Sequence, residues 1–434
     1  MDSLFRTKRL VAEHHNIIVI GAGQGGLGVS YYLTKAGVEH LVLERSDIAS
    51  SWKDNRWDTF CLVTPNWTLN LPGKPYSGSD PDGFMKRDEF VQYFTEWAEA
   101  FDAPVRKNIN VTRVIPQKSG FLLKTSNGDL TSDIIVIATA TYQKPKVPDI
   151  SKKLPHGIMQ IHAEQYKNAS QISDGAILVV GSGQTGCQVA DDLLQEGKDV
   201  HLCVGKSGRL PRSYRGRDCI SWQKDLKLLD RTPDMLDDPA HRFRGDPHLS
   251  GRDGGKTLSI HKFNRAGVKL YGRLTDVQGD ELIFGDNLRA DIKFSDEFAD
   301  DFRKGIDNHI MKNSLSAPLP SLKDLDGDLI PDDPFIPEVH KINFVAKNIK
   351  TIIWATGFKY DFSWIEGDIT DSMGYPITRM GATSLEGLFF NGLNWMTKRK
   401  SGILYGFDED SKKVSEKIIA FSKIKNKTIS FVNS

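Results

Sequence analysis

The chain has 434 residues, 39% hydrophobic and 26% charged, and 57 Lys and Arg stand against 56 Asp and Glu for a formal net charge of +1. That length exceeds one ordinary core and fits two or three domains, and the charge balance gives no reason to expect nucleic acid or an anionic membrane as partner. Cys61, Cys187, Cys203 and Cys219 form no C-x-x-C pair, so a dithiol redox centre and a zinc site both lack their ligand spacing, and no metal is expected.

Residues 1–16 contain no apolar run long enough for a signal peptide. No uncharged stretch approaches the roughly 20 residues of a spanning helix. Scattered single thiols suit a reducing compartment, so a cytoplasmic protein without a transmembrane segment is expected.

The first predicted element is a β-branched strand, NIIVI at 16–20, followed by Gly21, Gly23 and Gly26 in the spacing G-x-G-x-x-G. A helical pattern runs on to Gly37, a plausible C-cap, and a second strand at 39–45 ends in Glu44. Strand, glycine turn, helix, strand and terminal acid are together the grammar of a dinucleotide fold. Gly21 permits the tight turn, Gly23 lets backbone approach a pyrophosphate, and Gly26 lets helix and strand pack closely. Glu44 accepts hydrogen bonds from an unphosphorylated ribose, as in FAD sites. Gln24, Gly25 and Arg45 complete the first set of cofactor-binding candidates.

An aromatic, proline-rich excursion with an amphipathic helix occupies 60–101. A strand within 132–148 closes half of the first domain, and Pro145 and Pro148 begin a linker. The grammar then repeats. AILVV at 176–180 is a strand, and Gly181, Gly183 and Gly186, with Gln184 and Thr185, form the second turn before an amphipathic helix and a strand at 199–205. No acid ends this strand. Lys206, Arg209 and Arg212 follow instead, which suits the 2′-phosphate of NADPH or, alternatively, a solvated face.

A helical excursion spans 288–320, where the apolar spacing, His309 included, reads as core packing, and 321–338 reads as a loop. An apolar strand within 350–361 runs into Ala355-Thr356-Gly357, with Thr356 and Gly357 as further cofactor candidates, and a strand, a loop and a long helix end the chain. The expected class is α/β with two Rossmann-like dinucleotide-binding domains, the NADPH domain inserted into the FAD domain. The FAD domain would cover 1–150, the NADPH domain 151–345, and the FAD-domain return segment 346–434.

On the motifs GAGQGG, GSGQTG, WATGF and the linker GIMQIHAEQYK at 157–167, nearly the whole chain resembles the class B flavin-dependent monooxygenases. These include the flavin-containing monooxygenases, the plant YUCCA enzymes and bacterial relatives. His162, Tyr166 and Lys167 fit the linker fingerprint of that family. Gly157 sits one residue too far upstream, the leading Phe is missing, and the first A-T-G is altered to Ala138-Thr139-Ala140.

The resemblance implies that NADPH reduces FAD and that O2 adds at the flavin C4a position. The resulting hydroperoxide passes one oxygen to a small substrate, with N- or S-oxygenation favoured. It also implies a place for Trp52 beside the isoalloxazine, where the alternative is core packing. His162 and Tyr166 would either contact the nicotinamide or hold the linker. Asn66 and Asn70 are catalytic candidates for polar contact at the reacting edge, with turn stabilisation as the alternative. In residues 399–410 the resemblance implies a helix N-terminus facing the flavin pyrimidine edge. The rival functions are YUCCA-like oxidative decarboxylation of a 2-oxo acid, a flavoprotein reductase, and a non-catalytic NADPH sensor. A homodimer is compatible with all of them.

Overall fold

A computed structural model describes residues 12–245 and 247–432; the N-terminal stretch read above as lacking a signal-peptide run lies largely outside them. The β-branched run at 16–20 belongs to strand Glu13–Ile20, whose C-terminal half is fully enclosed. It is the centre of a seven-stranded sheet. Leu41–Leu43 and then Val105–Arg106 lie parallel on one side of it, and Gly128–Ile137 lies parallel on the other. Phe121–Thr125 and Val111–Pro116 extend that side as an antiparallel meander. Helix α1 (Gln24–Lys35) connects the first two strands, and α2 (Arg87–Ala100) covers the excursion through buried Phe90, Phe94 and Trp97.

The second sheet has five strands, all parallel, in the order Met159–His162, Ile349–Trp354, Ala176–Val180, Val200–Cys203, Lys269–Tyr271. Helix α3 (Gln184–Gln195) follows its glycine turn. The helical excursion is one long helix, α4 (Leu288–Lys312). A three-stranded antiparallel sheet at Leu274–Gln278, Glu281–Phe284 and Lys341–Asn343 packs with the second sheet in one cluster.

The expected domain boundary at 346 needs correction. Strand Ile349–Trp354 lies between Met159–His162 and Ala176–Val180, so it closes the second sheet. The chain rejoins the first sheet only at Leu388–Phe390, parallel to Ile135–Ile137. Helix α5 (Phe407–Val432) then packs on α1. That approach needs Gly28, where a Cβ would overlap the Ser411 side chain, and Ser415 donates its hydroxyl to the Val29 carbonyl at 3.3 Å. Among the described residues no helix is long and apolar enough to cross a membrane.

Candidate active site

The two glycine turns are built alike, atom for atom. Gly21 N–H donates to Leu43 O at 2.8 Å, and Gly181 N–H to Cys203 O at 3.2 Å. Both residues have left-handed φ, +106° and +110°, which only glycine adopts freely. A Cβ on Gly21 would stand 2.7 Å from Ala138 O, and one on Gly181 2.6 Å from Ala355 O. A Cβ on Gly26 would overlap the Gly21 carbonyl, and one on Gly186 the Gly181 carbonyl, so each helix packs against its own turn.

Gly23 and Gly183 differ from these. Nothing lies within 4 Å of a Cβ at either position. Each is the N-cap of its helix, with no side-chain cap and no acid in the first turn. Both helices therefore present uncapped N–H groups and a positive dipole end to open space, as a pyrophosphate requires.

Glu44 is buried at the end of its strand and reaches this first cradle. It accepts from Ala22 N–H at 2.8 Å and from Ser46 N–H at 3.0 Å, and its remaining lone pairs suit ribose hydroxyls. Arg45 is exposed beside it. Gln24 donates to Gly402 O at 2.9 Å, and Gln184 both donates to Leu249 O (2.7 Å) and accepts from Leu249 N–H (3.0 Å). The turn glutamines thus pin a later segment of chain beside each cradle. Gly25 packs against Asn391 and Gly392, while Thr185 is exposed on the first turn of α3.

The basic cluster after the second fold divides. Arg209 is buried between Asp296 (2.9 Å) and Asp328 (2.7 Å), and Arg212 is buried against Asp218 (2.6 Å) and the Val63 carbonyl (2.8 Å). Both expected phosphate contacts are therefore corrected: these guanidiniums are already spent on internal partners. Lys206 alone of the three is exposed, 4.7 Å from the Phe294 ring. Arg273, which the sequence reading missed, stands beside Gly205, is largely exposed, and lies 3.6 Å from Asp291. Its signal was a cation directly after the neighbouring parallel strand. Arg209→Ala is expected to lower stability by about 3 kcal/mol in chemical denaturation, because two partly buried carboxylates lose a buried cation that bridges them.

His162 and Tyr166 also settle inward. His162 is buried, its Nε2 3.1 Å from Gly357 O and its ring 5.0 Å from Phe358, and burial holds its pKa below the usual value. Tyr166 is wholly enclosed and donates its hydroxyl to Asp192 at 2.6 Å; burial, then that carboxylate, pushes its pKa up. Asp192, on α3, also accepts from Thr59 and from Arg252 Nη1 at 2.5 Å. One buried carboxylate thus joins the first-domain excursion, the linker and the second domain. The reading of both residues as cofactor contacts is corrected to a linker clamp. Thr356 likewise donates to the Lys146 carbonyl and fastens its loop to the linker, with Gly357 at φ +80° beside it.

A family model described as pyridine nucleotide-disulphide oxidoreductase matches residues 18–220. An uncharacterized oxidoreductase, CzcO-like, of Geobacillus kaustophilus is 29% identical over 91% of this chain and 96% of its own. The probable indole-3-pyruvate monooxygenase YUCCA1 of Arabidopsis thaliana is 29% identical over 74% of this chain and 80% of its own. Among solved structures, a mutant flavin monooxygenase from Stenotrophomonas maltophilia aligns with a TM-score of 0.63 at 14% identity, covering 94% of this chain and 99% of that one. The chain is similar in sequence to flavin-dependent monooxygenases and shares their two-domain fold.

The two amide candidates differ in what holds them. Asn66 is buried, donates to Asp80 O at 2.9 Å and accepts from Met85 N–H at 2.8 Å, so its amide closes the 80–85 loop. Asn70 is exposed in a two-residue hairpin arm paired with Pro75. That hairpin is held by Tyr93 and Trp97 of α2 and packs through Gly73 against Tyr31 of α1. Trp52 is partly buried with its ring 4.8 Å from Phe90 and 6.1 Å from Phe60. The start of α5 carries Asp408, Glu409 and Asp410, of which Glu409 is paired with Lys398 and Lys400.

The altered A-T-G has a conformational cost. Ala140 sits at φ +58°, in the left-handed region that favours glycine. Ala140→Gly is expected to stabilise the protein by ~1 kcal/mol, read as a raised denaturation midpoint.

Proposed function

We propose that the chain binds FAD at the first turn and NADPH at the second, and uses O2 to oxygenate a small organic substrate, with N- or S-oxygenation favoured. The observation that carries this reading is the pair of open cradles at Gly23 and Gly183. Each is backed by an uncapped helix N-terminus; one is completed by Glu44 and the other by Lys206 and Arg273. Bound flavin and nicotinamide supply hydride transfer and oxygen activation. The protein's share is placement. Amides of α1 and α3 hold the two pyrophosphates, and Glu44 selects an unphosphorylated ribose. The Asp192 clamp fixes one cradle against the other, so that two reactive rings can meet at a set distance.

A dithiol reductase is disfavoured by the thiols. Cys187, Cys203 and Cys219 are buried and Cys61 partly so, all four are free, and burial pushes Cys219 up to about 12. The test is isotopic. NADPH consumption with 18O2 should place one labelled oxygen in product; NADPH oxidation that needs an added electron acceptor and labels nothing would sink the reading. Lys206→Ala is expected to raise the KM for NADPH about tenfold, the loss of one charge-assisted phosphate contact of ~1.5 kcal/mol, and to leave that for NADH nearly unchanged. Equal loss for both nicotinamides would place the lysine elsewhere.

A further inference from the structure

Arg56 is a partly buried arginine whose cation is met by rings. Arg87, Arg209, Arg212, Arg252, Arg265 and Arg303 each lie within ion-pair distance of a carboxylate. For Arg56 no such partner exists among the described residues. Its Nη1 donates to its neighbour's carbonyl, Asn55 O, at 2.8 Å. The guanidinium otherwise lies 5.4, 5.7 and 6.0 Å from the ring centroids of Trp52, Phe60 and Tyr142. Burial pulls its pKa down against the fields of Tyr142 and Glu164. Lys167 holds the loop from behind by donating to the carbonyls of Asp54 and Arg56.

The surroundings say where this cation stands. Tyr142 is 5.2 Å from Phe358, and Phe358 is 5.0 Å from His162. Lys144–Pro145 pairs with Phe358–Lys359. These two loops leave the strand ends at Ala138 and Ala355, the residues that touch the glycine turns at Gly21 and Gly181. Arg56 is therefore beside the junction of the two cradles. The uncapped N–H groups of α1 and α3 would meet the pyrophosphates, which leaves the Arg56 charge for a further anion. A planar fork with unspent N–H groups matches a carboxylate in two-point contact, and the flanking rings suit an apolar body.

We propose that Arg56 recognises the carboxylate of the substrate, and that the substrate class is an aryl or alkyl carboxylic acid seated against Trp52, Phe60 and Tyr142. This rests on the monooxygenase reading for its role, while the binding itself is measured without turnover. The purified holoprotein is titrated calorimetrically, without NADPH, with phenylacetate, 3-phenylpropanoate and hexanoate, each against its own amide, and separately with NADP+. The expected result is at least a tenfold preference for acid over amide in one pair, lost in Arg56→Met and partly restored in Arg56→Lys. The NADP+ affinity of both variants should stay within twofold of wild type. Absence of acid preference in every pair with wild-type protein overturns the proposal, and that arm needs no variant to fold. A preference that persists in Arg56→Met, or a loss of NADP+ affinity in its place, also overturns it. Failure of 18O incorporation alone would instead remove the oxygenation reading and leave the carboxylate site standing.

Discussion

Gly23→Val protein is expected to fold as wild type and to purify without flavin. Gly23 has φ −84° and ψ −173°, an extended conformation that valine prefers, and a Cβ there meets nothing within 4 Å. The apoprotein therefore loses nothing by the change. The isopropyl group instead fills the space through which a pyrophosphate must pass to reach the N–H groups of α1. Gly26→Ala should do the reverse. Its Cβ would overlap the Gly21 carbonyl, so α1 must lift from its strand, at a cost of ~3 kcal/mol in stability. The second turn has the same geometry, so Gly183→Val should yield folded, flavin-bearing protein that NADPH reduces at least about a hundredfold more slowly, the loss of roughly 3 kcal/mol of binding and positioning. Flavin-to-protein absorbance, urea denaturation and stopped-flow reduction check the three variants. A yellow Gly23→Val protein at full occupancy would show that the first turn is not the flavin cradle.

Asp192→Ala is expected to be the most destabilising exchange of a single polar side chain, by ~3–5 kcal/mol. The carboxylate is buried and takes hydrogen bonds from Tyr166, Thr59 and Arg252. Its removal leaves an enclosed phenol without its acceptor and a partly buried cation with only Asp253 at 4.0 Å, against a total stability of about 5–15 kcal/mol for a typical domain. Changing Arg252 to Met at the same time should recover part of the loss, because the stranded cation goes with it. Urea midpoints of the two singles and the double give the coupling. Strict additivity would mean that Asp192 and Arg252 do not depend on each other. Because the clamp joins both domains to the linker, flavin reduction by NADPH should slow in the surviving protein even where each cofactor still binds.

The two turns were legible because their determinants are local. A left-handed φ at Gly21 and Gly181, a Cβ-free contact at Gly26 and Gly186, and an acid at the next strand's end all fall within a few dozen residues of sequence. The clamp carried a signal that went unread: Asp192 is a carboxylate on the buried face of α3, next to buried Val189 and Leu193. An acid in that position must have partners, and its neighbours in sequence supply none.

By itself, then, the sequence determined two dinucleotide folds, the second inserted into the first, and the acid that completes the first. Strand periodicity, glycine spacing and helix capping act over short range and leave their mark in consecutive residues. Only the tertiary structure decided which cations are free. Arg209 and Arg212 look like Lys206 along the chain, yet Asp296, Asp328 and Asp218 fold over them, two of these from far downstream. Only strand pairing decided that Ile349–Trp354 closes the second sheet, since an apolar strand ending in a glycine turn reads the same in either domain. Burial of a charge is decided by whichever opposite charge the fold brings within reach, and that choice is made across the whole chain.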